Sequence, residues 1–145
     1  MKFNKQRIYF VVLIVAGVLF VACQRSSNTP THTAPAHVEH IDGSKLSRVI
    51  LTEKAAERLD IKTASVQDDA KTQFKVVPYS AILYDSYGDT WVYTSPEPLV
   101  FSRYLVRIDR IDGEQAYLAA GPPVGTEVVA VGAAELYGTE FEMGH

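Results

Sequence analysis

The chain has 145 residues, of which 14 are basic and 17 acidic, so its net charge is −3 with neutral histidines. A chain of this length supports one domain with a modest core. The acidic balance argues against a nucleic-acid partner, because nucleic-acid binding depends on a basic surface. Cys23 is the only cysteine, which excludes an intramolecular disulfide.

Residues 1–22 have the pattern of a bacterial signal peptide. Lys2, Lys5 and Arg7 precede an uncharged apolar run over residues 8–22. As a helix this run is about 22 Å long, shorter than the ~30 Å hydrocarbon core of a bilayer, whereas a signal peptide needs only a short apolar stretch before its cleavage site. The alternative is an uncleaved single-span anchor. Both interpretations place the chain after residue 23 on the outer side of a membrane.

Cys23 is predicted to carry a lipid. The sequence FVAC at residues 20–23 resembles the bacterial lipobox, with the usual leucine, Leu19, one residue early. Attached acyl chains stabilise membrane binding by about 0.8 kcal/mol per buried CH₂. Cleavage before Cys23 leaves eleven basic and seventeen acidic residues, so electrostatic docking on anionic lipid is not expected. The expected location is the periplasmic side of the inner or the outer membrane.

Residues 23–45 are predicted to be a lipidated, flexible tether, because Ser, Thr, Pro and polar residues dominate and no apolar period is present. His32, His37 and His40 lie in this segment, and three imidazoles so close in sequence form a candidate site for a transition metal. Ordering a flexible segment weakens such a site. The alternative is that these histidines are simply solvated.

Residues 46–145 are predicted to be one β domain. Residues 46–51 and 61–67 predict strands, and the residues between them predict a helix of about two turns with Thr52 as N-cap. From Lys71 onward the pattern is β throughout, with hairpin turns at residues 85–89 and 112–113 and a short helical turn at residues 132–136.

In two predicted strands of this domain, the alternation of side chains indicates which residues are buried and which are exposed. Trp91 and Tyr93 share a face, which is predicted to be core. Residues 99–108 alternate, with Arg103 and Arg107 on the exposed side. The residues predicted on the opposite side are Val100, Tyr104, Val106 and Ile108. The predicted fold class is all-β, a small antiparallel sandwich or barrel of six to eight short strands with one short helix.

Catalytic residue types are scarce in the β domain. No His or Cys occurs between Lys45 and Gly144, so the commonest general base and the strongest nucleophile are missing there. Acidic residues at the turns leave a hydrolase open in principle, but Asp in a turn more often accepts hydrogen bonds from the local backbone. These acidic residues are Asp85, Asp89, Asp109, Asp112 and Glu114. The protein is therefore predicted to be no enzyme and to need no cofactor.

Two segments resemble a known family. Residues 49–66 read VILTEKAAERLDIKTASV, and residues 77–141 contain VPYSAI, an Asp/Gly hairpin, WVY, FSR, GPPVG and GAAEL in that order. This order and spacing is similar to the membrane-proximal domain of periplasmic adaptor subunits, the membrane fusion proteins, of RND-type efflux pumps. Full-length adaptors carry a lipoyl-like domain, a helical hairpin and a β-barrel domain between the two segments, whereas only residues 67–76 separate them here.

The resemblance implies a non-enzymatic adaptor or accessory subunit that docks on an RND-type inner-membrane transporter and has the potential to form homo-oligomers. Candidate contacts are Arg103, Arg107 and the loop that contains Tyr87 and Asp89. Exchanging both arginines for Glu is expected to weaken this association without unfolding the domain. The alternatives are a metal- or ligand-binding lipoprotein that uses the tether histidines, and a gene remnant that lost its middle domains.

Overall fold

The computed structural model describes residues 34–143, so the predicted signal peptide, Cys23 and His32 lie outside the described residues. The strands are β1 Ala36–His40, β2 Ser47–Leu51, β3 Lys62–Ser65, β4 Gln67–Asp68, β5 Lys75–Pro78, β6 Leu83–Tyr84, β7 Thr90–Glu97, β8 Val100–Asp112, β9 Gln115–Ala120 and β10 Glu127–Val131. The helices are α1 Glu53–Arg58 and α2 Ala133–Met143, with a 3₁₀ turn at Tyr79–Ala81. Neither helix has the length and apolar character that crossing a bilayer requires.

The strands form one antiparallel, nearly closed, barrel-like sheet in the order β3-β10-β7-β8-β9-β5-β4. The long strand β8 joins two layers, because its first part pairs with β7 and β2 and its second part pairs with β9. The strand β2 in turn pairs with β1 at the outside of the sheet. The predicted small all-β barrel is therefore confirmed.

The barrel wall separates two hydrophobic cores. The consecutive residues Val92 and Tyr93 are both fully buried and belong to different cores, because successive side chains of a strand point to opposite faces. The barrel core contains Val66, Val77, Ala81, Ile82, Val92, Val106, Ala116, Leu118 and Val128. The helix-side core contains Ala36, Val49, Leu51, Ala55, Tyr93, Phe101, Val129, Ala133 and Leu136. The wall strand β7 is thus covered on both faces.

The folded part begins earlier than the sequence predicts. Residues 36–40, expected to belong to the flexible tether, form β1, which pairs with β2 from Ala36 opposite Leu51 to His40 opposite Ser47. Ala36 is buried and Val38 packs against the helix-side core. Pairing with β2 and the packing of these two apolar side chains place this segment in the fold, although its composition is that of a tether.

The two helices differ in how well local sequence predicts them. The N-cap of α1 is confirmed, since the Ala55 backbone N–H donates to Thr52 Oγ1 at 3.2 Å. The predicted helical turn at residues 132–136 is instead the start of the eleven-residue helix α2. Leu136 is fully buried in the helix-side core, so tertiary packing extends this helix.

Gly132, at the junction of β10 and α2, should not tolerate a side chain. Its φ of +85° is left-handed, and an added Cβ would overlap Ile61 Cδ1 and lie 3.1 Å from the Leu59 carbonyl oxygen. We expect Gly132→Ala to lower the free energy of unfolding by about 2–3 kcal/mol, measured by urea denaturation. Gly138→Ala is the matched control. An added Cβ at this position has no atom within 4 Å, and replacing a helical glycine by alanine should not lower stability. Equal stability of the two variants would contradict this account of Gly132.

Candidate docking groove

A surface groove of about 490 Å³ lies between the β6–β7 hairpin and the middle of β8. Its apolar lining includes Tyr84, Leu105 and Ile111, all exposed to solvent. Asp89 and Arg107 line the same groove, so that one acidic and one basic residue lie beside these apolar residues. We call this surface the hairpin groove.

The hairpin beside the groove is fixed by Asp85. One of its carboxylate oxygens, Oδ1, accepts hydrogen bonds from the backbone N–H groups of Tyr87 and Asp89, each at 2.9 Å. The other, Oδ2, accepts from Trp91 Nε1 at 2.9 Å. Both oxygens therefore serve the turn, as predicted for an acidic residue in this position. Tyr87 stands at the tip with 91% of its surface exposed.

The ionised form of Asp85 is stabilised by these donors. Desolvation acts to raise its pKa, but the Trp91 N–H and the backbone N–H groups of Asp89 and Tyr87 outweigh it, so the pKa lies below its ordinary value. The stabilisation is present above the unfolded-state pKa of about 4 and is lost as the pH falls through the lower folded-state pKa.

The measurable consequence is a pH-dependent effect of Asp85→Asn. Thermal unfolding between pH 7 and pH 2.5 should show the variant melting below the wild-type protein at neutral pH, with the difference shrinking below about pH 4. A difference between the two melting temperatures that stays constant over this range would contradict the role of the ionised Asp85 carboxylate.

Arg103 is not on the surface, which corrects the prediction that it contacts a partner. Only 8% of its side chain is exposed, and only 4% of Glu140 on α2. Arg103 Nε donates to Glu140 Oε2 at 2.9 Å and Arg103 Nη2 donates to Oε1 at 3.0 Å. The Tyr93 hydroxyl donates to the same Oε2 at 2.5 Å. Arg103 is buried because α2, which the sequence pattern did not predict at this length, places Glu140, Tyr137 and Phe141 against it.

Aromatic rings complete the surroundings of this guanidinium. The Arg103 Cζ atom lies 4.9 Å from the ring centroid of Trp91, 5.0 Å from that of Phe141 and 5.8 Å from that of Tyr137. Such stacking adds cation–π attraction to the ion pair. Burial and the Glu140 carboxylate raise the pKa of Tyr93 far above its ordinary value, so its hydroxyl stays a donor. The Arg103–Glu140 cluster therefore fastens α2 to the sheet and takes no part in the groove.

The histidines of β1 do not form a shared metal site. His37 Nε2 lies 3.7 Å from Glu39 Oε1, whereas His40 Nδ1 lies 3.1 Å from Ser47 Oγ. Three positions apart on a strand, the two imidazoles point to opposite faces. Over residues 34–143 the structure contains no group of three or more His, Cys, Asp or Glu side chains placed to hold a metal ion.

A larger cleft, of about 600 Å³, opens where the pairing of β4 with β5 ends. Its lining is mixed, and includes Ser65, Gln67, Val77, Tyr79 and Glu114. None of the four predicted partner contacts lies in it, and Glu114 is the one turn carboxylate of the hydrolase alternative among its lining residues. It is a wedge between two strands that diverge after two paired positions.

The structure brings three of the four predicted contact residues to one place. Asp89 and Arg107 line the hairpin groove, Tyr87 stands at the adjoining tip, and Arg103 alone lies in the interior. Sequence reasoning missed the apolar lining of the groove, because in an alternating strand Leu105 has the pattern of an ordinary exposed position. Comparison with known proteins found no protein-family model, no curated protein and no solved structure that matches this chain.

Proposed function

We propose that this protein is a non-enzymatic lipoprotein that acts as an adaptor or accessory subunit of an RND-type efflux transporter by protein–protein docking. The observation that carries the proposal is the hairpin groove, where apolar side chains lie beside Arg107 and Asp89. Tyr and Arg are enriched among the residues that dominate binding energy at interfaces, and a central apolar strip with charged edges is the usual composition of such a surface.

The connection between the two family-like segments also supports the proposal. In the chain, β4 and β5 form a closed hairpin, in which the Asp69 N–H donates to the Phe74 carbonyl at 2.9 Å and the Gln73 N–H donates to the Asp69 carbonyl at 3.0 Å. Asp69 Oδ1 also accepts from the Lys71 N–H at 3.3 Å. A formed turn at the site where adaptors carry further domains favours a self-sufficient domain over a remnant with an open break.

The proposed partner surface follows from the groove. It should offer apolar side chains to Tyr84 and Leu105 and a carboxylate to Arg107, since an unpaired guanidinium at an interface loses hydration without compensation. Contacts that full-length adaptors make through their helical hairpin are not expected here. The periplasmic face of the transporter is the proposed docking partner, and the lipid proposed on Cys23 would keep the domain close to it.

Affinity purification tests this proposal. The tagged, lipidated protein would be isolated from mildly solubilised membranes and its partners identified by mass spectrometry. We expect an RND transporter at near-stoichiometric yield. A clean preparation without a transporter would contradict the proposal, and calorimetric titration of the same preparation with Cu(II), Ni(II) and Zn(II) would then test the metal-binding alternative.

A further inference from the structure

The side chain of Trp91 connects the hairpin beside the groove to the Arg103–Glu140 cluster. Its Nε1–H donates to Asp85 Oδ2 at 2.9 Å, and the Arg103 Cζ atom lies over its ring, 4.9 Å from the centroid. Arg103 is not among the residues that line the hairpin groove. Only the Trp91 side chain, however, separates its guanidinium from the carboxylate that holds the hairpin turn.

The contacts on the two sides of Trp91 form one continuous series. Asp85 accepts the two backbone bonds of the turn with Oδ1 and the Trp91 bond with Oδ2. At the other end, the Arg103 guanidinium donates two hydrogen bonds to Glu140 on α2. Desolvation acts to raise the pKa of Asp85, and the charge of Arg103 is among the influences that lower it. A change at Glu140 can therefore act on the hairpin turn through direct contacts.

The C-terminal part of α2 is the member of this series that local sequence supports least. Gly138 lies inside the helix, where glycine is unfavourable, and an added Cβ would meet no atom within 4 Å, so close packing does not require a glycine there. Glu140 and Glu142 lie near the helix C-terminus, and its last turn has no basic residue, an arrangement that the helix dipole disfavours. An eleven-residue helix is marginal without tertiary contacts. The ion pair with Arg103 thus holds a turn that has little stability of its own.

We propose that the last turn of α2, residues 140–143, is a latch that controls the order of the β6–β7 hairpin through Trp91. When the latch is closed, Glu140 holds Arg103, and the guanidinium holds the Trp91 ring. The indole N–H then keeps Asp85 in the position that fixes the turn. When the latch opens, this support is lost, and the two backbone N–H groups of the turn leave their acceptor more often.

The latch would regulate the docking site, and this part of the inference rests on the proposed function. Tyr84 and Asp89 of the hairpin line the groove, and an ordered surface loses less conformational entropy when it binds a partner. Because coupling between two sites is reciprocal, a partner bound at the groove would also favour the closed latch. Trp91 is thus a positioning residue for the groove.

Exchange of the Tyr87 and Asp89 amide protons with water tests the latch in the full chain without the transporter. NMR of the protein in mild detergent measures both exchange rates directly. Glu140→Gln, which keeps the size of the side chain and removes its charge, should raise both rates by roughly threefold or more. Glu142→Gln, an exposed position of the same turn, is the matched control and should leave both rates unchanged. Equal rates in the wild-type protein and Glu140→Gln would overturn the proposal.

The variant Trp91→Phe separates this series of contacts from a general loss of stability. It keeps an aromatic ring beside Arg103 and removes the N–H that donates to Asp85. In this background, Glu140→Gln should no longer change the exchange rates of the two hairpin amides, whereas a general loss of stability would still raise them. A rise as large as in the wild-type background would overturn the role of Trp91.

Gly138→Ala tests the opposite direction, in a variant that should fold at least as well as the wild type. It should stabilise the last turn of α2 and slow the exchange of both hairpin amides, although the added Cβ meets no atom within 4 Å. Unchanged rates in this variant would overturn the latch. Because transporter capture enters none of these measurements, failure of the latch and failure of the proposed docking are distinguishable.

Discussion

Glu140→Ala should lower the free energy of unfolding by about 3–5 kcal/mol, because it leaves the Arg103 guanidinium buried without its carboxylate. Arg103 donates two hydrogen bonds to Glu140, and Tyr93 donates a third. No other carboxylate forms a salt bridge with Arg103 among the described residues. Urea denaturation followed by the fluorescence of Trp91, the only tryptophan, reports directly on this region because its ring lies against Arg103.

A neighbouring glutamate provides the control for this substitution. Glu142 lies on the same helix, is exposed and takes part in no salt bridge among the described residues, so Glu142→Ala should change stability by less than about 0.5 kcal/mol. The Arg103–Glu140 cluster would not be the fastening of α2 if the two variants unfolded at the same urea concentration.

Arg103→Glu should be more damaging still and leave the domain largely unfolded. It removes the cation from its three aromatic neighbours and sets a second carboxylate against Glu140 in a dry site. We expect a loss of about 5 kcal/mol or more, which is comparable with the whole stability of a small domain. Arg107→Glu, by contrast, changes an exposed residue of the same strand and should stay within about 0.5 kcal/mol of the wild type.

Circular dichroism and thermal melting of the two single variants check this contrast. The double exchange of Arg103 and Arg107 for Glu is therefore unsuitable as a test of docking. Unfolding of the domain alone would abolish any association. If Arg103→Glu and Arg107→Glu melted at the same temperature, the burial of Arg103 would be wrong.

The parts of the fold that the sequence predicts well are those fixed by short-range bonds. The Thr52 cap and the Asp85 turn each join a side chain to a backbone group only two to four residues away. Such bonds need no distant partner to form, so residue type and spacing suffice to predict them.

The parts that the sequence predicts poorly depend on distant packing. In β8 the buried side chains are Phe101 and Arg103 at first and Val106 later, so the buried phase changes along the strand. Tyr104, predicted on the core side, is exposed for this reason. A strand that faces the helix-side core in its first part and the barrel core in its second cannot keep one alternation.

The same distinction applies to the hairpin groove, where some residues could be predicted from the local sequence pattern and others depend on distant packing. The sequence predicts the exposure of Tyr87, Asp89 and Arg107, because turn residues and residues on the polar face of a strand are usually in contact with solvent. The places of Leu105 and Ile111 in the groove were not predictable, because only the pairing of β6 with β7 and of β7 with β8 brings them to the same groove as Tyr84.

Capture of the transporter by groove variants tests the proposed docking most directly. The tagged wild-type protein, Arg107→Glu and the control Arg58→Glu, which changes an exposed arginine on α1, would be purified in parallel from mildly solubilised membranes. We expect the wild type and Arg58→Glu to retain an RND transporter equally, and Arg107→Glu to retain roughly tenfold less while remaining folded. Equal capture by all three proteins, or no transporter with the wild type, would contradict docking through the hairpin groove.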